Sequence, residues 1–132
     1  MAEKIPGAFH DLFRKKAFAH LATLMSDGSP QSSPVWCDFD GECVLINTER
    51  ARLKFKNMKR DARVALSISD PDDPYRYLEV RGRVIETTEK GADALIDKLA
   101  KRYMGVDKYP YTKPGDVRVT LRIRPERVSS MG

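Results

Sequence analysis

The chain is 132 residues long, 41% hydrophobic and 33% charged, which sets it apart from disordered tails, collagen-like repeats and multidomain enzymes. A chain of this length builds one core, burying roughly 65–70% of the surface it exposes when unfolded. Its 24 basic and 19 acidic residues leave a net charge of +5. Seven of the basic residues fall between Arg50 and Arg63 with Asp61 as the lone acid, a local charge of +6, so the rest of the chain sums to −1. Diffuse nucleic-acid binding spreads charge along a face or a tail, because affinity scales with the phosphates neutralised. One basic segment suits one compact anion, such as a phosphate ester. No nucleic-acid partner is expected. Apolar runs such as Val44 to Ile46 are too short to cross a membrane, and the opening Met-Ala-Glu-Lys-Ile-Pro lacks an apolar signal stretch. The expectation is one cytoplasmic domain over residues 1–132, with no membrane association.

In chain order, Phe9, Leu12 and Phe13 stand at helical spacing and predict a short helix within Pro6 to Lys16. Phe18 to Met25 reads as a strand, Ser26-Asp27-Gly28-Ser29 as a turn, and Gln31 to Asp38 as the returning strand. The Asp40-Gly41 signal predicts a two-residue hairpin into a third strand, Glu42 to Asn47. That register sets Cys37 opposite Val44 and Asp38 opposite Cys43. Both cysteines are therefore expected as free thiols.

From Ala51 the period changes. Ala51, Phe55, Met58 and Ala62 form one helical stripe, with Asn47 and Thr48 upstream as candidate helix caps. Val64, Leu66 and Ile68 alternate into a strand that stops at Asp70-Pro71-Asp72-Asp73-Pro74. Leu78, Val80 and Val84 alternate with Tyr77, Glu79, Arg81 and Arg83, and Gly82 marks a bulge or a close backbone approach. Ala92, Leu95, Ile96, Leu99 and Tyr103 predict a helix ending at Gly105. After an irregular loop, Val117, Val119, Leu121 and Ile123 form a last strand with a polar face of Arg118, Thr120, Arg122 and Arg124. Six strands with early hairpins argue for an antiparallel barrel rather than a Rossmann sheet.

No phosphate-loop, dinucleotide or hydrolase signature is present, and His10 and His20 are expected to be structural. Without a Cys/His cluster no metal site is expected. Chemistry in such a chain falls to a cofactor. Asn47-Thr48 before Arg52-Leu53-Lys54-Phe55-Lys56-Asn57 places hydroxyl, amide and cationic groups at a helix start, a pattern suited to a phosphate.

The succession Ala19-His20-Leu21-Ala22-Thr23, Asp27-Gly28-Ser29-Pro30, Ser33-Pro34-Val35-Trp36, Asn47-Thr48, Arg52-Leu53-Lys54 and Arg60-Asp61-Ala62-Arg63-Val64-Ala65-Leu66 resembles the pyridoxamine 5′-phosphate oxidase-like split β-barrel proteins. The segment from Asp70-Pro71 to Gly82-Arg83-Val84 resembles their branch that uses the deazaflavin coenzyme F420. The resemblance implies a mainly β (α+β) fold, a six-stranded antiparallel split β-barrel with peripheral helices. It also implies a homodimer with two cofactor sites at the subunit interface. In such proteins Ser33, Pro34, Val35 and Trp36 would line the flavin-type ring, and Asn47, Thr48, Arg52, Lys54 and Asn57 would hold the phosphate end. Tyr75 and Tyr77 would approach from the partner subunit, Tyr77 being a proton-donor candidate only if its hydroxyl lies beside the ring. Ala62 departs from the proline common in the family, and the oxidase's C-terminal arginine/histidine pattern is missing, since no histidine follows His20. The implied activity is hydride transfer from the reduced deazaflavin to a small organic acceptor. The alternatives are an FMN-binding oxidoreductase and a non-enzymatic flavin carrier. Lys56, Lys59 and Arg60 favour the longer, more anionic deazaflavin.

Overall fold

Alternating apolar and polar residues place most of the backbone in strands. The structure, a computed structural model, describes residues 2–132. The strands are Ala19–Leu24 (β1), Pro30–Val35 (β2), Asp38–Phe39 (β3), Val44–Glu49 (β4), Arg63–Asp70 (β5), Asp73–Thr88 (β6) and Arg118–Met131 (β7). They form one antiparallel sheet in the order β2-β1-β5-β6-β7-β4-β3. Its two edges, β2 and β3, are separated in sequence only by Trp36 and Cys37. One bent strand thus pairs with β1 at one end and β4 at the other, curling the sheet into a barrel. Counted through the bend, the strands are the six expected; the seventh arises where pairing breaks. The inward faces bury Leu21, Ile46, Leu66, Ile68, Leu78 and Leu121 completely.

Three segments surround the barrel. A 3-10 helix over Gly7–Arg14 packs Phe9, Leu12 and Phe13 onto the core. A helix over Leu53–Arg60 (α1) joins β4 to β5, and one over Ala92–Met104 (α2) follows β6. Gly105 takes φ +75 at the C-terminus of α2, a conformation in which only a residue without Cβ is unstrained.

The sequence-based expectations fail at four local points. The Asp40-Gly41 hairpin has a four-residue loop, with Asp38 opposite Leu45 and Phe39 opposite Val44. Asp40 accepts hydrogen bonds from the N–H groups of Glu42 (2.9 Å) and Cys43 (2.7 Å), and this side-chain turn needs the longer loop. The shift is even, so side chains keep their faces. Both cysteines are free and buried. β7 runs on through Pro125, because Gly82 faces Pro125 and Arg81 faces Arg127, leaving Glu126 as the extra residue of a bulge. A proline is tolerated there, and a Cβ on Gly82 would collide with the Arg124 carbonyl oxygen. His20 is exposed on β1 rather than packed, while His10 is structural, its ring bonded to the Ile5 carbonyl. Asn47 and Thr48 do not cap α1, whose N-cap residue is Arg52.

The turn from β5 to β6 is tied down by a buried carboxylate. Asp70 is 4% exposed and accepts from the Asp72 N–H at 2.9 Å, Lys15 at 3.0 Å and Arg76 at 2.7 Å. Arg76 also donates to Asp11 and to the Ala8 carbonyl, joining the 3-10 helix to the turn. The Asp72 N–H, then Lys15 and Arg76, hold the Asp70 carboxyl down to about 2, from an ordinary 3.8. Its folded pKa is depressed, so its stabilisation is fully present above the unfolded value and is lost as pH falls from about 4 towards 2. Asp70→Asn should therefore lower the thermal midpoint at pH 7 and flatten its dependence on pH in that acid window. Melting curves from pH 7 to 2 measure both effects, and parallel curves for the two proteins would contradict the assignment.

Candidate functional site

The bend at Trp36-Cys37 takes backbone groups out of the sheet, and side chains from α2 receive them. The Tyr103 hydroxyl accepts from the Cys37 N–H at 3.3 Å and donates to the Ala17 carbonyl at 2.7 Å. Arg102 donates to the Cys37 carbonyl at 3.0 Å and to Asp38 at 3.1 Å, and Lys98 reaches Asp38 at 2.8 Å. Burial opposes ionisation of Asp38, but Lys98, the Phe39 N–H and Arg102 outweigh it and hold the carboxyl below its usual range. Burial pushes the Cys37 thiol up to about 12, so it is no nucleophile at neutral pH. The Tyr103 ring stacks on Trp36 at 5.2 Å and on Phe18 at 5.4 Å.

Against this braced bend lies a cleft of about 410 Å³. Pro34, Val35 and Trp36 supply an apolar, aromatic wall, extended by Tyr109 and Tyr111 from the loop after α2. Asn47 and Thr48 from β4, Arg52 and Lys54 from the start of α1, and Arg118 from β7 supply the polar part. The start of α1 carries no side-chain cap, so its leading N–H groups add positive potential beside these cations. Among the described residues Arg52, Lys54 and Arg118 make no ion pair, whereas Arg50 pairs with Glu89 and Arg63 with Asp61. Burial, then the charges of Arg52 and Arg118, pull the Lys54 ammonium below its usual range. Three like charges crowded into a half-buried cleft favour an incoming anion.

Of the residues singled out in the sequence, Pro34, Val35, Trp36, Asn47, Thr48, Arg52 and Lys54 come together here. Ser33 lies one residue along β2, opposite Leu21, with its hydroxyl buried and unpartnered. Asn57 is not brought to the cleft. It is 1% exposed, donates to Thr23 Oγ1 at 3.0 Å and accepts from Arg60 at 2.6 Å, which fastens α1 to β1. Arg60 is spent on Asn57 and the Leu24 carbonyl, and Lys59 lines a separate groove beside Thr87. Neither supplies charge to the cleft, which removes the ground for a preference based on them. Within one chain Tyr75 is 82% exposed and Tyr77 pairs with Ser69 and Met131, so neither lines the cleft. The sequence reading missed Arg118, Tyr109 and Tyr111. Arg118 looks like any polar position of an alternating strand, although the paired tyrosines around Pro110 were a visible aromatic cluster.

An antiparallel barrel closed by a bent strand, with an aromatic and cationic cleft at the bend, defines a split β-barrel. A family model described as pyridoxamine 5′-phosphate oxidase matches residues 5–132, and the chain belongs to that family. It is similar to a solved F420 reductase, with 37% identity and a TM-score of 0.81 over 95% of this chain and 98% of that one. A conserved hypothetical protein from Mycobacterium tuberculosis shares 25% identity at a TM-score of 0.72, over 98% and 85% of the two chains. General stress protein 26 from Bacillus anthracis shares the fold, with 19% identity, a TM-score of 0.66 and coverage of 91% and 88%.

The placement of Asn57 separates stability from binding. Asn57→Ala leaves buried partners unsatisfied and should cost about 1–3 kcal/mol of stability. Occupancy of the cleft by an added phosphate ester, with FMN as the probe, should change by no more than about two-fold in the folded variant, a difference well below one charge-assisted contact. Denaturant unfolding and a fluorescence titration check the two halves; stability intact with affinity lost would reassign Asn57 to the ligand.

Proposed function

We propose that this protein is an oxidoreductase that binds reduced coenzyme F420 in the Trp36 cleft and reduces a small organic acceptor. The observation that carries the reading is the set of uncompensated cations, Arg52, Lys54 and Arg118, beside the wall of Pro34, Val35 and Trp36. A planar ring joined to a phosphate matches both halves of that cleft. The likeness to an F420 reductase across nearly the whole chain supports the same ligand.

Arg52 and Lys54 would hold the phosphate, Arg52 as a planar donor fork and Lys54 as a point charge. Asn47 and Thr48 would add neutral hydrogen bonds, and Pro34 to Trp36 would orient the ring and keep water from its face. When bound, the reduced deazaflavin supplies a hydride, so the chain's own contribution is positioning and exclusion of water. No cleft side chain is assigned as general acid.

The site is completed, in this proposal, by a second copy in a cytoplasmic homodimer. An exposed cleft of about 380 Å³ over β1, β5 and β6 has Leu24, Pro30, Val64 and Ala65 on its surface, a face suited to a partner. In that dimer the exposed Tyr75, with Tyr77 behind it on β6, would reach towards the partner's cleft.

FMN is the second reading, favoured by one observation. Lys59 and Arg60 turn away from the cleft, leaving a compact cation set that also fits a terminal phosphate. Trp36 is the only tryptophan, so its quenching reports cleft occupancy directly. Titrations should show coenzyme F420 bound more tightly than FMN. Much tighter FMN binding would transfer the assignment to FMN, and no binding of either would overturn the flavin-type reading. Arg52→Ala and Lys54→Ala should each weaken cofactor binding by about 10-fold to 100-fold. Stability should stay within about 0.5 kcal/mol, since neither side chain holds a partner in the fold.

A further inference from the structure

We propose that Arg118 is a third anion-binding group of the cleft, and that the ring of Tyr109 is the residue that positions it. The inference rests on the reading of the cleft as a phosphate-ester site and extends it to β7 and the loop that precedes it.

Arg118 opens β7 directly across from Glu49, where a salt bridge would be the simplest outcome. Glu49 is otherwise engaged. Its two carboxylate oxygens accept from the N–H groups of Ala51 at 2.8 Å and Val117 at 3.3 Å. Arg118 keeps only a long contact from Nη1 to Asn47 Oδ1, at 3.4 Å, and its Nε is buried without any partner. Arg122 and Arg124, the next two arginines along the alternating part of β7, behave differently. Arg122 binds Asp40 at 3.0 Å, and Arg124, whose Nε is also unpartnered, commits Nη2 to Glu126 at 3.1 Å. A buried donor without an acceptor is costly, and its retention in a cleft calls for an acceptor that arrives with a ligand.

The guanidinium lies over the Tyr109 ring, 4.6 Å from its centroid. Stacking against a ring face holds the guanidinium plane while leaving its edge N–H groups free. Tyr109 is itself held. Its backbone N–H donates to Asp97 of α2 at 2.9 Å, and its ring meets Trp36 edge-on at 5.9 Å and Tyr111 at 5.7 Å. One aromatic side chain thus connects the apolar wall to the third cation. Arg118 and Lys54 line the same cleft, and Arg118 is near enough to lower the basicity of the Lys54 ammonium.

The test compares FMN with riboflavin, which differ only in the phosphate, using Trp36 quenching on the full-length protein. Wild type should bind FMN at least about ten-fold more tightly. Arg118→Gln should weaken FMN by roughly ten-fold or more and leave riboflavin unchanged. Tyr109→Phe keeps the ring face and should match wild type. Tyr109→Leu should cut the FMN-to-riboflavin ratio by about two- to five-fold. As a second measurement, inorganic pyrophosphate should raise the thermal midpoint of wild type more than that of Arg118→Gln. An unchanged FMN-to-riboflavin ratio in Arg118→Gln overturns this inference while leaving the flavin-type reading intact. Equal ratios in Tyr109→Leu and Tyr109→Phe overturn the positioning role. If wild type binds neither flavin, the pyrophosphate shift decides for Arg118. No shift there, and no binding of coenzyme F420, overturns both readings together.

Discussion

The Tyr103 hydroxyl is the contact on which the barrel and its cleft both depend. A strand that leaves one neighbour and joins another must strand its own backbone groups at the bend, and buried N–H and C=O groups need partners. Tyr103 accepts from Cys37 and donates to Ala17, while Arg102 covers the Cys37 carbonyl. The bend turns two short edge strands into the closure of a barrel. It also aims Trp36 outward, against the face of the phenol that holds the bend. Closure and the aromatic wall of the cleft are one feature, supported from one turn of α2.

The electrostatics divide the molecule into two regimes. Where a charge serves the fold, it is matched. Asp38 has Lys98 and Arg102, and Asp70 has Lys15 and Arg76. Breaking such pairs leaves a buried charge exposed to a poor solvent, so they specify how the peripheral segments dock. At the cleft the opposite holds, because Arg52, Lys54 and Arg118 share no carboxylate and the nearest one on β4 is turned onto backbone N–H groups. Uncompensated charge has a cost in stability, and the depressed basicity of Lys54 is its local sign. An anion bound there, as the proposed function requires, would reverse that cost.

The +6 segment is accordingly less concentrated in space than along the chain. α1 is an amphipathic helix in which each residue is turned about 100° from the one before, so its basic residues point in different directions. Arg60 folds back onto Asn57 and β1, Lys59 lies beside Thr87, and Arg50 pairs with Glu89. Two of the seven face the cleft, and the third cation arrives from β7, some sixty residues later in sequence.

Strand identity, the two α-helices and the basic start of α1 at Arg52 and Lys54 were legible in the sequence. Periodicity and local composition are short-range properties, and the chain states them directly. The family resemblance, carried by several separate blocks of sequence, extended this to the barrel. Other features belong to the tertiary structure because they depend on what lies opposite. The register of the Asp40 hairpin followed a side chain bonding its own loop, and β7 passed Pro125 because Gly82 left room for a bulge. Asn57 looked like a phosphate ligand in a basic run, yet its place on α1 faces Thr23 across β1. Arg118 looked like one arginine among three on an alternating strand. Only the folding of β4 beside β7, with Glu49 occupied elsewhere and Tyr109 laid beneath the guanidinium, made it different from Arg122 and Arg124.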